Sequence, residues 1–510
     1  MIRELQISEL GVRVPAAPPG SWLGNQLISR IISHIMADKK TPSTTESNSE
    51  STQKLALDDL VSLTKRRGFI FQGSDIYGGL AGTWDYGPYG VTLKNNLQQL
   101  WWKHFVTERD DMFGLDSTVL MNAKVWEASG HTGAGFADPL VEDLKTHKRY
   151  RVDHLLEDNG VDNAAELTIE QMEAKIKELK LKSPDGNELS PARQFNLMFS
   201  TQAGPVEDTA AKVYLRPEIA QGMFVNYKNV IDSLHPKLPF GLAQMGKAFR
   251  NEITPRDFLF RVREFNLMEF EYFIRQEEWE QRFKEQYDLA YSWFDRIGLR
   301  REDIHELEVP EADRAHYSKR TIDFEYKFSF GTKEIGAIAY RTDFDLDNHA
   351  KHSGADLTYL DPQTSERFTP HAIEPTFGLD RHLLAVLSAA YATEEVNGEI
   401  RTVLKLKPEL APIKMAVSPL LRNKPELVEL AQKVYRDLKT EFGDVLYDDN
   451  GNIGKRYRRQ DEIGTPLCIV VDFDTLKDQA VTIRNRDTLE QVRVSIDELS
   501  QQIKAELAKF

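Results

Sequence analysis

The sequence predicts an α+β protein with a smaller α/β unit at its C-terminal end. Three observations lead there. Residues 322–328 and 334–339 read as strands, the first alternating apolar and polar side chains as a strand with one buried face does. Helical patterns flank these strands: 91–106 carries Leu93, Leu97, Leu100, Trp101 and Phe105 at helical spacing, and 279–297 is amphipathic. After 404–412, where Pro408 and Pro412 suggest a linker, strand and helix patterns alternate, which implies a sheet covered by helices.

At 510 residues the chain is long enough for about three domains. It has no run of eighteen apolar residues, so no membrane-spanning helix is expected. Cys468 is the one cysteine and lies in the apolar run Leu467-Cys468-Ile469-Val470-Val471. A single thiol excludes an intrachain disulfide and a cysteine-rich zinc site, and suits a reducing compartment. The formal charge of −15 argues against a blanket polyanion binder, so any nucleic-acid contact has to use local positive tracks.

Taken in order, 1–55 reads as an extension. Glu4 and Glu9 are early acids for a transit peptide, and the apolar run at 27–36 is short for a signal. Met36-Ala37-Asp38-Lys39-Lys40 reads as a normal protein start, so Met36 is expected to be the native initiator. Residues 38–54 are nearly devoid of apolar groups and read as a disordered tail. The main unit, 56–408, begins with a helix over 57–67 and a glycine-rich stretch over 68–88, then the 91–106 helix and a strand over 115–121. Residues 142–212 look inserted. Within them a helix over 168–181 has a Thr-x-x-Gln start and a stripe of Ile169, Met172, Ile176 and Leu179. The final unit, 409–510, should hold strands at 413–417, 467–473, 480–485 and 491–494, a helix at 426–442 and a closing helix.

Three charged segments carry the chemistry. Residues 248–265 contain four arginines, two glutamates and four phenylalanines, too alternating for an ordinary core element. Arginine forks match phosphate oxygens and aromatic faces accept a flat base, so two such strands joined by a loop would cradle a nucleoside triphosphate. An exposed, ion-paired hairpin is the bland alternative. Glu374-Pro375-Thr376-Phe377-Gly378-Leu379-Asp380-Arg381 reads as a strand end, a glycine turn and the start of an apolar helix. Gly378 permits close backbone approach, and Arg381 opposes the helix dipole, which points to a ligand-facing role. In Arg216-Pro217-Glu218, Pro217 suits the first helical position and Glu218 the first turn; a surface pair between Arg216 and Glu218 would explain them equally well.

In this order the segments resemble the class II aminoacyl-tRNA synthetases, specifically glycyl-tRNA synthetases of the dimeric type. Residues 250–265 resemble the second motif of that class and 374–381 its third, while Arg216-Pro217-Glu218 is shared with related synthetases. Glycine is indicated by the string from Gly68-Phe69-Ile70-Phe71-Gln72-Gly73 to Trp84-Asp85-Tyr86-Gly87-Pro88, supported by Trp126-Glu127-Ala128-Ser129-Gly130-His131. The resemblance implies an antiparallel-sheet catalytic core flanked by helices and an anticodon-binding domain over 409–510. It implies ATP-dependent attachment of glycine to tRNA(Gly) through glycyl-adenylate, with release of AMP and pyrophosphate, by a cytoplasmic homodimer. A non-catalytic, nucleic-acid-binding paralogue is the competing reading; it should have lost Arg250, Arg261 and Arg381, and all three are present.

Residue roles follow by the same resemblance. Arg250, Glu252, Arg261 and Arg381 are expected to be catalytic. Arg250 would hold the α-phosphate and the glycine carboxylate, Arg261 the γ-phosphate, and Glu252 the adenine edge. Phe265 would stack on adenine with Arg381 over its other face. Asn251, Phe260, Val262, Arg263, Glu264, Glu334, Ile335, Gly378, Leu379 and Asp380 complete the expected ATP site. Glycine would be met by Arg151, Glu218, Phe265, Asn266, Leu267, Met268, Glu269, Glu374, Pro375, Thr376, Phe377 and Gly378. Thr376 stands where relatives often carry Ser. Mg²⁺ is expected with ATP, on Glu334 and Glu374. Some relatives carry a cysteine cluster where this chain reads Glu142-Asp143-Leu144-Lys145-Thr146-His147-Lys148, so no structural zinc is expected. Gly454-Lys455-Arg456-Tyr457-Arg458-Arg459 forms a positive track suited to RNA phosphates, unless Asp461 and Glu462 make it an ordinary solvated face.

Overall fold

The computed structural model describes residues 56–510 except 134–135, 162–163, 165–166 and 205–211; before residue 56 it describes only the strands Leu5–Gln6 and Arg13–Val14. The expectations for Met36 and for 38–54 lie outside the described residues.

Seven strands build the central sheet, in the order Ile304–Glu308, Arg320–Phe328, Gly331–Thr342, His371–Gly378, Glu264–Ile274, Phe240–Phe249 and Met112–Gly114. Every neighbouring pair is antiparallel except the last. The period of two along Glu264–Ile274 sorts its side chains. Met268, Phe270, Tyr272 and Ile274 enter the main core, which the helices Pro88–Trp102, Trp279–Ile297 and Leu379–Ala390 cover. Glu269, Glu271 and Phe273 take the other face, where Phe273 packs with Phe224, Tyr227 and Leu346 of the helices Ala220–Leu234 and Phe344–Ser353. Each fully buried Phe or Leu in these cores contributes on the order of 1.5–3 kcal/mol.

The helix predicted over 91–106 begins at Pro88, behind Gly87, and passes into a π-helical turn at Lys103–Thr107. Its Gly90 lies so close to the chain ahead of the strand Ile70–Gln72 that a Cβ would meet the Phe69 carbonyl oxygen at 1.9 Å. The strand expected over 115–121 is broken, leaving Met112–Gly114 and Leu120–Met121. Between them Ser117 accepts two hydrogen bonds from Arg216 Nη1, at its carbonyl (2.8 Å) and its hydroxyl (3.2 Å), so this stretch serves a buried side chain and not a sheet. Residues 250–263 are likewise loop, joined internally by one bridge between Arg256 and Arg261. The arginines therefore sit between two long strands and not on them.

Inside the stretch expected to be an insertion, Thr168 caps the helix Ile169–Glu178 in a capping box with Gln171. Its Met172 joins Val141, Val152, Leu155 and Leu156 in a separate small core. The strand Ala137–Glu142 pairs with Arg149–Arg151 and Arg193–Asn196, so this layer starts slightly before residue 142.

The C-terminal sheet has the order Val445–Tyr447, Met415–Pro419, Leu467–Val471, Ala480–Asn485 and Gln491–Ser495, parallel across its first three strands. The helix Pro425–Phe442 buries Leu427, Ala431, Val434 and Leu438 against it. Residues 404–412 are not a free linker, because Leu404, Leu406, Leu410 and Ala411 are buried in the main core. The positive track expected at 454–459 is not a continuous cationic surface. It lies on the helix Ile453–Ile463, where Arg456 is buried and donates to the carbonyls of Pro419, Asp449 and Gly451. Arg459 is clamped by Asp448 at 2.7 and 2.9 Å. Asp461 turns inward to Arg401 and Arg484, and Glu462 pairs with Arg66 and Arg67.

Candidate active site

The site forms where the middle strands of the central sheet meet the 250–263 loop. Antiparallel register sets Glu269 opposite Thr376 on one side and Gln244 on the other. A cleft of about 280 Å³ opens above this row. It is lined by Arg250, Glu252, Leu259, Phe260, Arg261, Val262, Phe265, Asn266, Leu267, Glu269, Glu334, Thr376, Gly378, Asp380 and Arg381.

The loop is held in shape from outside. Arg263 donates through Nη1 to the Ala81 carbonyl at 2.8 Å and through Nε to the Glu252 carbonyl at 3.1 Å. Gly82, at φ +74°, lies so near Pro255 that a Cβ would sit 2.6 Å from its ring. Asp257 and Phe258 both adopt left-handed backbone, a strained pairing of order 1–3 kcal/mol per residue. Burial of Phe258 edge-on against Trp84, with ring centroids 4.7 Å apart, offsets it. The glycine-rich stretch around 68–88 thus shapes the arginine loop.

Three arginines from distant sequence converge on the cleft. Arg250 is anchored through Nε to the Pro217 carbonyl at 3.1 Å, with its guanidinium 5.4 Å from the Phe265 ring and 5.6 Å from Phe136. Arg261 lies 3.9 Å from a Glu252 carboxylate oxygen. Arg381 donates through Nη1 to the Glu334 carbonyl and pairs with its carboxylate, both at 3.0 Å, and covers Phe260 at 4.4 Å. Asp380 caps the edge of the neighbouring strand, accepting from Asn266 N at 2.5 Å and from the Tyr86 hydroxyl.

Behind the cleft lies a buried cluster in which acids outnumber bases. Arg341 donates to Asp345 through Nε and Nη2, each at 2.8 Å, and to Glu374 through Nη1 at 2.9 Å. Glu218 accepts from His131 Nε2 and from Gln221 Nε2, each at 3.0 Å. Burial opposes ionisation of Glu218, yet His131 and Arg341 outweigh it and hold this carboxyl below its ordinary range. Glu269 lacks such partners: burial, then Glu374 and Glu218, push it well above the ordinary range, and its Oε2 has no hydrogen-bond partner. Glu271 is raised likewise, by burial and then by Glu374, with neither carboxylate oxygen bonded. With one guanidinium among several carboxyls, this environment is short of positive charge and would gain by receiving a cationic group.

Strand alternation separates the other expected residues. Met268 and Phe377 point into the main core, with Ile335 and Leu379, and Pro375 shares the core-facing side of its strand. Glu218 precedes the helix expected to contain it, since that helix starts at Ala220, and it turns inward. Arg216 does not pair with it; it is buried and donates to the Lys247 and Ser117 carbonyls. Arg151 is engaged by Asp138 and Asp153 and does not line the cleft. Glu334 and Glu374 cannot share one metal ion. Glu374 sits opposite Ala339, five residues along the strand from Glu334, which separates the two by about 17 Å. Among the described residues no group of three or more metal-ligating side chains occurs. His131, Gln221, Arg341 and Asp345 were not anticipated as site residues.

The fold and site define a class II aminoacyl-tRNA synthetase. Residues 201–390 match the tRNA synthetase class II core domain (G, H, P, S and T), and 414–506 match the anticodon binding domain. The solved Giardia lamblia prolyl-tRNA synthetase in complex with prolyl-adenylate superposes with a TM-score of 0.61 over 89% of this chain and 80% of its own, at 14% identity, a likeness of fold. Closer in sequence is the glycine–tRNA ligase of Caldanaerobacter subterraneus subsp. tengcongensis, 49% identical over 89% of this chain and 99% of its own. That of Thermus thermophilus is 49% identical over 87% and 97%. The chain belongs to the glycine–tRNA ligase family.

Proposed function

We propose that the cleft activates glycine with ATP and that the enzyme then transfers the glycyl group to tRNA(Gly), releasing AMP and pyrophosphate. The observation that carries this reading is the convergence of Arg250, Arg261 and Arg381 on one cleft whose floor is the unpartnered carboxyl of Glu269 beside Thr376. The arginines suit a folded triphosphate; the acidic floor suits an ammonium.

Adenylate formation requires a carboxylate in line with the α-phosphorus while charge builds on the phosphoryl oxygens. It needs no covalent protein nucleophile, so positioning and electrostatics provide the acceleration. Arg250, tethered at Nε, offers its outer nitrogens to the α-phosphate and the amino-acid carboxylate. Arg261 takes the γ-phosphate. Adenine lies between Phe265 and Arg381, with Glu252 at its edge. The ammonium of glycine pairs with Glu269 and Glu218, and with Glu374 behind them. Thr376 fills the space a side chain would need, so a larger amino acid is excluded by contact. Mg²⁺ would accompany the ATP phosphates and neutralise their charge; Glu334, which lines the cleft beside Arg381, would offer it a single carboxylate, whereas Glu374 lies outside the lining and is bonded to Arg341.

The same reading places the protein in the cytoplasm as a homodimer, with the Pro88–Trp102 helix at the subunit interface and the 414–506 domain on the anticodon. No helix among the described residues is long and apolar enough to cross a membrane. ATP–pyrophosphate exchange with glycine, alanine and serine, followed by charging of tRNA(Gly), tests the activity. Exchange should depend on glycine; equal exchange with alanine, or none with glycine, overturns the reading.

A further inference from the structure

The stretch from Trp126 to His131 runs from the helix Ala123–Ala128 into the turn that follows it. The structure gives its end a place in the site. Ser129 Oγ lies 2.8 Å from His131 Nδ1, and His131 Nε2 lies 3.0 Å from Glu218 Oε2, so three side chains form one line into the acidic cluster. All three are buried. The imidazole is wedged between Trp126 and Phe136, with ring centroids at 5.6 and 4.8 Å, and Phe136 also faces the Arg250 guanidinium. Such packing leaves the ring few orientations.

We propose that Ser129 and His131 are positioning residues for glycine, a line that orients the Glu218 carboxylate toward the amino-acid ammonium. A carboxylate accepts, so Nε2 must donate; Nδ1 of a neutral ring then accepts a hydrogen bond from the Ser129 hydroxyl. Gln221 holds the other Glu218 oxygen and is itself held through its carbonyl oxygen by His349 Nε2 at 2.7 Å. With both oxygens engaged, Glu218 has one rotamer, and its remaining lone pairs face the cluster shared with Glu269. Ser129, His131 and Glu218 do not themselves line the nucleotide cleft, so the effect falls on the amino acid more than on ATP. This inference rests on the proposed role of Glu218 in binding glycine.

Glycine- and ATP-dependent pyrophosphate exchange, measured on the full chain, tests it. Loss of a hydrogen bond to a charged group raises the glycine KM by about 10- to 100-fold in His131→Ala. The ATP KM stays within about twofold, and His131→Gln, which restores a donor at the Nε2 position, recovers the glycine KM to within about threefold. Ser129→Ala, a smaller change that keeps the ring, raises the glycine KM by about three- to tenfold, and it decides the matter if His131→Ala does not fold. An unchanged glycine KM in the folded variants, or equal rises in the glycine and ATP KM, overturns the proposal. Glu218→Gln separates the two levels. If it too leaves the glycine KM unmoved, the role of Glu218 fails; if it raises that KM while Ser129 and His131 variants do not, only the positioning line fails.

Discussion

Replacing Arg341 by methionine removes the main positive charge from a buried acidic cluster. Arg341 is 1% exposed and makes three charge-assisted hydrogen bonds, two to Asp345 and one to Glu374. At about 1.5–3 kcal/mol each these would sum to roughly 4.5–9 kcal/mol. The carboxylates need not stay charged, however, and taking up a proton caps the loss, so the measured cost of breaking a buried pair, about 3–5 kcal/mol, is the expected value. At about 2 °C per kcal/mol for a large domain, thermal unfolding should shift down by roughly 6–10 °C. The pH dependence has a definite sign. Arg341 lowers Glu269, Glu271 and Glu374, whose folded values burial has already raised, so its removal raises them further. Above the unfolded carboxyl value of about 4.3, the unfolded chain sheds these protons and the folded chain keeps them, so stability falls as pH rises, and more steeply in the variant. Melting followed by circular dichroism at pH 5 and pH 8 should show a gap that widens with pH. A gap under about 2 °C at pH 8, or one that narrows from pH 5, would refute the electrostatic account of the cluster.

Arg250→Ala should lose glycine-dependent pyrophosphate exchange by more than about a hundredfold, the scale of deleting one pre-organised donor, and near-normal exchange would contradict its assignment. Thr376→Ser keeps the hydroxyl beside Glu269 and should leave glycine activation close to normal; a loss of about a hundredfold would mean that the methyl group does more than fill space. His382 is fully buried, donates from Nδ1 to the Gly378 carbonyl at 2.9 Å, and is pushed down to about 4 by burial. The unfolded chain binds its proton from about pH 6.5 downward while the folded chain resists to about 4, so up to about 3 kcal/mol of stability is lost across that window. Urea unfolding of wild type and His382→Phe at pH 7 and pH 4.5 measures this, and an equal acid loss in both would rule it out.

Much of the fold was legible because hydrophobic period is a local property. Trp279–Ile297 has the predicted bounds, and the capping box at Thr168 lies where Thr-x-x-Gln placed it. Legibility stopped where a tertiary partner overrides local preference. The 115–121 stretch has strand-like residues, but the buried Arg216 takes Ser117 as acceptor and the strand breaks. Residues 404–412 show two prolines, the usual mark of a linker, while four of the apolar residues among them insert into the main core. The basic run at 454–459 has the composition of a positive track, and composition does not say that Arg456 is drawn inside by three carbonyls.

The candidate site was legible by its arginines and obscure by its acids, for a reason in strand geometry. Arginines from a loop can reach a cleft whatever their spacing, so the continuous stretch 250–265 contains the right groups. Along a strand the side chains alternate between faces, and Met268, Pro375 and Phe377 fall on the core-facing side. The same geometry parts Glu334 from Glu374, which chemistry alone had paired. It also gathers acids that sequence distance conceals: Glu269 and Glu271 share one face, and Glu374 pairs with Arg341, which in turn holds Asp345. Five carboxyls (Glu218, Glu269, Glu271, Asp345 and Glu374) around one guanidinium would be a poor way to stabilise a core, since replacing buried ion pairs by apolar groups is often neutral or stabilising. Glu269, with an unbonded oxygen in the cleft floor, makes sense as a group whose partner arrives with the substrate. On that view the charge imbalance behind the cleft is the recognition element for an amino acid that has an ammonium and no side chain to grasp.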